Sequence, residues 1–415
     1  MKRIALFAIV VINLALCGCQ GKRPVDRMND AELKEYANKL AHQFIITDGH
    51  IDLPTALIEM KFKSGKDNDS LIHVKKGDFD FERAKKGGLD APFMSIYIPS
   101  SYQSRADKGK GFADTLITMV QTIAKQMPEK FSLAKTPKDV RTNFSAGKIS
   151  LPMGMENGAP IGSDLKNVRY FFDRGIRYIT LTHGKDNQIC DSSYDSTATW
   201  KGLSPFGRQV VAEMNKVGIM VDISHVTDST FYQVIRMTKV PVIASHSSCR
   251  YFTPGFLRNM SDDMIKKLGA NGGVIQISFG STFLDSTVRA KNEKNLKKLT
   301  ALLKEKKLKL TDSLAKPVIA QFLKSNPSSY ASIENVVAHI DHVVKLIGVD
   351  HVGFGSDFDG VGDSLPPGLK DVSMYPNILY GLLRLGYTEN DIEKICGGNL
   401  LRVWQQILDA AKDKS

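Results

Sequence analysis

Eight short apolar runs recur along this chain with helix signals between them, and that alternation limits its fold more than any other feature. The runs are FIITDGHID from Phe44, APFMSIYI from Ala91, ISLPMGME ending at Glu156, IRYITLTH ending at His183, GIMVDISH ending at His225, VPVIASH ending at His246, GGVIQISF from Gly272 and HVGFGSD ending at Asp357. Each is rich in β-branched or aromatic residues and apolar at successive positions, as a strand buried on both faces must be. Between the runs lie signals such as Ser204-Pro205 as cap and first turn, an amphipathic stretch to Val217, and Gly218 as the stop. Ahead of the first run, Asp30 is expected to cap a helix through Leu40. Strand alternating with helix eight times predicts a (β/α)8 TIM-type barrel with loop insertions rather than an open doubly wound sheet. No GxGxxG or Walker loop follows any strand, which removes the usual prompts for nucleotide binding.

The chain has 415 residues, 42% hydrophobic and 24% charged, enough for one large enzyme domain over 30–415. The N-terminus carries a basic pair, Lys2 and Arg3, an apolar stretch from Ile4 to Leu16, and Leu16-Cys17-Gly18-Cys19, which reads as a lipoprotein cleavage box. Residues 1–18 are therefore expected to be a signal peptide, Cys19 the lipidated N-terminus, and 19–29 a linker. The apolar run falls short of the ~20 residues that span a bilayer. The expected location is the bacterial cell envelope, as an outer-membrane lipoprotein facing the periplasm. Cleavage removes Lys2 and Arg3 and leaves +10 of the +12 formal charge. Much of that excess lies in KNEKNLKKLTALLKEKKLKL from Lys291, read as a solvated amphipathic helix in an insertion over 284–332. It lacks the aromatic and Arg interleaving that base contacts need, so no nucleic-acid partner is expected. Beyond Cys19 the thiols are Cys190, Cys249 and Cys396, an odd number without a C-x-x-C pair, expected to be buried and free.

The polar residues that close the runs carry the chemistry. Parallel strands deliver their last side chains to one end of a barrel, so His50, Asp52, Glu156, His225 and His246 can converge from distant parts of the sequence. In His50-Ile51-Asp52 the two polar residues share a strand face. Four of the nine histidines, His50, His183, His225 and His246, end expected strands. Five imidazole and carboxylate ligands exceed what one zinc uses, whereas two ions sharing a carboxylate and a hydroxide would employ them all. Such a pair activates water and polarises a carbonyl, so the reaction expected is hydrolysis. Asp357 is placed to orient the hydroxide and pass its proton to the leaving group. Asp359 is its rival in SDFD, on the same strand face, and spacing does not separate them.

Taken in order from Asp48 to Val403, the segments DGHIDLP, GMENG, LTH, DISHV, ASHSSCR, RNMSDD, GFGSDFDGV and GGNLLRV resemble the membrane (renal-type) dipeptidases of the amidohydrolase superfamily. The resemblance implies a zinc-dependent dipeptidase on a (β/α)8 barrel with two zinc ions per chain. His50, Asp52 and Glu156 would hold one ion, and Glu156, His225 and His246 the other. It further implies that His183 steadies the oxyanion of the tetrahedral intermediate, that Asp357 is the acid/base carboxylate, and that Arg258 holds the free carboxylate of a dipeptide substrate. A guanidinium suits that role because it can grip a carboxylate bidentately. Recognition of the carboxylate end alone would leave room for dipeptides with a C-terminal D-residue. Ile51, Asn157 and Phe283 depart from the family pattern without removing a ligand. The same ligands suit Mn, Co or Fe, and the same fold could serve another amide, ester or lactone, or a non-catalytic binding lipoprotein. Dimerisation is left open by the residues.

Overall fold

All eight apolar runs become parallel strands. The computed structural model describes residues 27–412 apart from 64, 65, 75 and 104, so the expected signal peptide, Cys19 and the linker up to 26 lie outside the described residues. Ten strands are numbered in chain order: β1 Ile46–Ile51, β2 Leu89–Tyr97, β3 Phe131–Leu133, β4 Ile149–Leu151, β5 Met153–Glu156, β6 Ile176–Thr180, β7 Met220–Asp222, β8 Ile243–Ser247, β9 Val274–Ile277 and β10 Val352–Phe354. Eight of them close a barrel in the order β1-β10-β9-β8-β7-β6-β5-β2. Every neighbouring pair is parallel, with helices outside. Nearly every strand residue is buried, because one side chain packs into the barrel and the next under a helix.

The third run departs from expectation. It divides at Pro152 into β4 and β5, and β4 pairs with β3 in a separate two-stranded sheet. Proline has no N–H for a ladder, so the chain switches partners there, while the Pro152 carbonyl still accepts from the Met94 N–H at 2.8 Å.

Helix ends follow the local chemistry. Helix Pro205–Val217 starts at Ser204, whose hydroxyl accepts from the Gly207 N–H at 2.8 Å, and stops at Gly218 with φ 94°. The first helix, Asp30–Gln43, is capped one residue earlier than expected. Asn29 accepts from the N–H of Ala31 and Glu32, and the Glu32 carboxylate returns to the Asn29 N–H at 2.7 Å. Helix Asn399–Lys412 lies across the end where strands begin, with Leu400, Leu401 and Trp404 packed in one buried cluster with Phe93, Met220 and Val274. The Lys-rich stretch is helical over Ser286–Glu305 and pairs with helix Ala315–Ser325 around its own small core of Leu299, Leu303 and Ala315. Cys190, Cys249 and Cys396 are buried and free. Among the described residues no helix is long and apolar enough to cross a membrane.

One buried carboxyl at the strand-start end makes stability depend on pH. Burial pushes Asp90 up from 3.8 to about 7, against the opposing pull of the Ile46 N–H, Lys85 and His42. Because the folded chain holds this proton more tightly than the unfolded chain, the group costs stability as pH rises from about 4 to 7, and the cost is full above that. Asp90→Asn is expected to gain about 1–3 kcal/mol at pH 8, with the gain shrinking toward pH 5. Urea unfolding at the two pH values, with metal content held fixed, measures it.

Candidate metal centre and active site

The functional side chains collect where the barrel strands end. His50 is the second-last residue of β1, Glu156 ends β5, and His246 lies within β8. Asp52 occupies the N-cap position of helix Leu53–Glu59 yet makes no capping hydrogen bond, since its carboxylate turns toward His50 instead. His183 and His225 stand beyond the strand ends they were expected to close, because β6 stops at Thr180 and β7 at Asp222. His225 takes φ 67°, and Asn157, Asp357 and Asp359 take 78°, 64° and 64°. Left-handed backbone at residues other than glycine is costly and gathers where a site is held in place.

Distances sort the ligands into two sets around one carboxylate. Glu156 Oε1 lies 3.0 Å from His225 Nε2 and 3.3 Å from His246 Nε2, while Oε2 lies 3.5 Å from His50 Nε2. His50 Nε2 is also 3.4 Å from Asp52 Oδ2. Grouping by mutual reach alone yields overlapping sets, Glu156 with His50 and His246, Glu156 with His183 and His225, and His50 with Asp52 and Asp357. The shorter contacts decide between them, and they give each Glu156 oxygen its own imidazole partners.

The supporting shell fixes which ring nitrogen faces inward. Asp222 accepts from the Ser245 hydroxyl at 2.6 Å, so that hydroxyl has only its lone pairs to offer His246 Nδ1 at 2.8 Å. His246 Nδ1 therefore carries its proton, and the lone pair sits on Nε2. The Tyr178 hydroxyl lies 2.8 Å from His50 Nδ1 and holds that imidazole in place. The Tyr178 ring fills the barrel over Gly154, where an added Cβ would stand 1.9 Å from Tyr178 Cζ, so only glycine fits. Asp48 braces β1 from the other side, accepting from the N–H of His50 and Ser356 and from the Tyr375 hydroxyl.

These donors fit divalent cations. His50 Nε2 and Asp52 Oδ1 are buried without a hydrogen-bond partner, and the Nε2 atoms of His225 and His246 face each other at 2.8 Å. The lone pair on His246 Nε2, facing a second imidazole nitrogen at that distance, calls for a proton or a cation between them. The electrostatics agree. Burial would raise Glu156, but His183, His50, His225 and His246 outweigh it and hold the carboxyl well below its usual range. Burial, with Arg258 and His183 beside His225 and with His50 and Arg258 beside His246, depresses both rings and keeps them neutral, the form that ligates. At His50 burial is overcome by Tyr178, Glu156 and Asp52, which hold a proton where a cation would compete for the same lone pair.

The ligands open into a cavity of about 610 Å³ lined also by Tyr97, His183, Tyr194, Phe283, Asp357 and Asp359. The His183 side chain is 26% exposed, its Nε2 3.7 Å from Glu156 Oε1. Asp357 stands close beside Asp52, with room made by Gly360, where a Cβ would lie 2.3 Å from an oxygen of each. Burial, helped by Asp52 and Glu156 and opposed by His50, pushes Asp357 up to about 7. Burial and the neighbouring Asp78 push Asp359 up to about 7 as well, so its bonds and not its proton affinity set it apart. Its Oδ1 accepts from the Asp78 N–H at 2.7 Å, and Asp78 accepts from the Asp359 N–H at 2.8 Å. Arg258 is buried beside the site, donating to Ser247 Oγ at 2.7 Å and to the His246 carbonyl at 2.6 Å. Those two bonds use two of its five N–H donors, and Nε has no partner. Tyr97, Tyr178 and Tyr194 escaped the sequence reading. Tyr97 ends its strand as the ligands do and was open to the same logic, whereas Tyr178 lies mid-strand and reads as core.

A (β/α)8 barrel with a buried His/carboxylate cluster and an open cavity at its strand ends defines a metal-binding hydrolase. The sequence profile of the membrane dipeptidase family, peptidase family M19, matches residues 34–415. An uncharacterized dipeptidase of Schizosaccharomyces pombe (strain 972) is 32% identical over 379 residues, covering 88% of this chain and 81% of that one. The probable dipeptidase PvdM from Pseudomonas aeruginosa superposes with a TM-score of 0.78 at 26% identity, over 92% of this chain and 100% of that chain. A further solved metallo peptidase, dipeptidase AC, does so with 0.71 at 25% identity, over 88% and 98%. The chain belongs to the membrane dipeptidase family, and it is a metallo-dipeptidase, a hydrolase of peptide bonds.

Proposed function

We propose that this chain hydrolyses dipeptides with two zinc ions that share Glu156, His50 and Asp52 completing one site and His225 and His246 the other. The observation that carries this reading is the division of the Glu156 oxygens, one toward His50 and the other toward His225 and His246. When bound, the metal pair supplies an acidified water and polarises the scissile carbonyl. Asp357, beside Asp52 and in reach of the same space, takes the water's proton and delivers it to the leaving amine. His183, on the cavity wall, donates to the oxyanion as it forms. Arg258, fixed by Ser247 and the His246 carbonyl, keeps free N–H groups for the C-terminal carboxylate of the dipeptide. Because that grip reads the carboxylate and not the side chain, dipeptides ending in a D-residue are included among the substrates. Lipidation at Cys19 would hold the enzyme at the outer membrane facing the periplasm, where short peptides are met.

Elemental analysis of protein purified without added metal, with a dipeptide panel before and after chelation, tests the reading. Close to two zinc ions per chain, and hydrolysis lost on chelation and restored by zinc, are expected. Hydrolysis unchanged by exhaustive chelation would sink it.

A further inference from the structure

A second pocket, of about 490 Å³, opens at the opposite end of the barrel. Arg177 near the start of β6, Lys216 at the end of helix Pro205–Val217 and Lys412 at the end of helix Asn399–Lys412 line it, with Lys135, Lys138 and Arg169. Among the described residues no carboxylate lines it. Lys216 and Lys412 have acidic neighbours in Glu213 and Asp409, but among the described residues Lys135, Lys138, Arg169 and Arg177 form no ion pair. Asp139, beside Lys138, is spent on helix capping, its carboxylate accepting from the N–H of Lys135 and Thr136 at 2.9 Å. Asp173, four residues before Arg177, is exposed and outside ion-pair distance of it.

Arg177 is the telling member. It is 4% exposed, and its Nε and Nη1 are tied to the carbonyls of Lys135, Phe172 and Ile176 at 2.7–2.8 Å, while Nη2 has no acceptor in the protein. The Phe172 ring is shared by two guanidinium groups, with Arg177 at 4.2 Å and Arg169 at 5.3 Å from its centroid, and so holds both charges beside one cavity. A guanidinium buried without an ion-pair partner is costly. Burial lowers Arg177 to about 10 against the pull of Asp139 and Asp173, neither of which lies within ion-pair distance, and this still leaves it charged at neutral pH. A ligand bearing two negative charges on one centre would relieve that cost with every cation around it.

We propose that this pocket binds a phosphate group, carried either by a soluble phosphoester or by an anionic lipid headgroup. The cavity exceeds what inorganic phosphate fills, so it has room for the remainder of an ester. It lies at the strand-start end, away from the metal centre, and does not depend on the catalytic reading.

The test uses the metal-loaded protein and the variant K135A/K138A/R169A. Arg177 is left intact because its guanidinium also ties backbone carbonyls. Inorganic phosphate and glycerol phosphate are titrated by phosphorus NMR. Saturable binding by the wild type, weakened tenfold or more in the variant with dipeptide hydrolysis unchanged, is expected. Equal affinity in both proteins, or no saturation at millimolar phosphate, overturns the proposal. Sedimentation with phosphatidylcholine vesicles, with and without phosphatidylglycerol, identifies the source. Phosphatidylglycerol-dependent binding competed by phosphate assigns a lipid headgroup, and binding of the free phosphates alone assigns a soluble ester.

Discussion

Glu156→Gln is expected to lower kcat/KM for a dipeptide by roughly 10³-fold or more, a loss of about 4 kcal/mol of transition-state stabilisation, and to cut metal content from two ions per chain to one or fewer. The substitution keeps the shape of the side chain and one carbonyl oxygen, but it removes the negative charge that lies 3.0–3.5 Å from His50, His225 and His246. An amide presents a single ligating oxygen, so it can serve one side of the site and not both. Its NH2 group would also donate to an imidazole lone pair that a cation needs, or project into the cation's space. Metal analysis and steady-state kinetics on the same preparation check both parts. A glutamine variant with two ions and near wild-type turnover would refute a shared carboxylate, whereas a fall in metal content with turnover intact would show that a single ion suffices.

The fold was legible because a barrel strand is buried on both faces, so its apolar run survives in the sequence without any need to guess its partner. The limits of legibility lie where a single residue redirects the chain. Pro152 sits inside an unbroken apolar run, and only the loss of its ladder N–H divides that run between two sheets. The candidate ligands stood out as types, since imidazole and carboxylate at apolar strand ends are rarely neutral to function. Their placement stood out less. His183 and His225 reach the site from loops past β6 and β7, one of them through left-handed backbone that no composition rule foretells. Tyr178 and Asp222 were invisible for a related reason. A buried tyrosine looks like core until its hydroxyl is found 2.8 Å from His50 Nδ1, and a buried aspartate until it is found accepting from the Thr180 and Ser245 hydroxyls and from the N–H of Ser224 and Ser245. Arg177 was equally hidden, an arginine within an apolar strand whose partner-free edge appears only once Lys135, Arg169 and Phe172 gather round it.

Asp357 and Asp359 could not be separated by spacing, and their geometry now gives them different expected phenotypes. The Asp359 carboxylate accepts from the Asp78 N–H, and the Asp359 N–H donates to the Asp78 carboxylate, which ties the two segments together. Asp357 faces Asp52 and His50, and burial with two neighbouring carboxylates raises its affinity for a proton to the neutral range, where a group can accept and return one in a single turnover. Asp359 is raised to the same range, so position and not proton affinity separates the two. Asp357→Asn is therefore expected to lower kcat by about 10²- to 10⁴-fold with KM little changed, and to remove the acidic limb of the kcat/KM profile. Asp359→Asn should alter kcat by less than about tenfold and act mainly on stability, because only a loop tether is weakened. Metal content measured on both variants is the deciding companion. Asp357 is also within ligand reach of the His50 and Asp52 pair, so a variant that loses an ion along with its activity would make Asp357 a ligand. One that keeps two ions and loses only turnover would make it the proton carrier, and equal kcat losses in the two variants would remove the distinction drawn from their geometry.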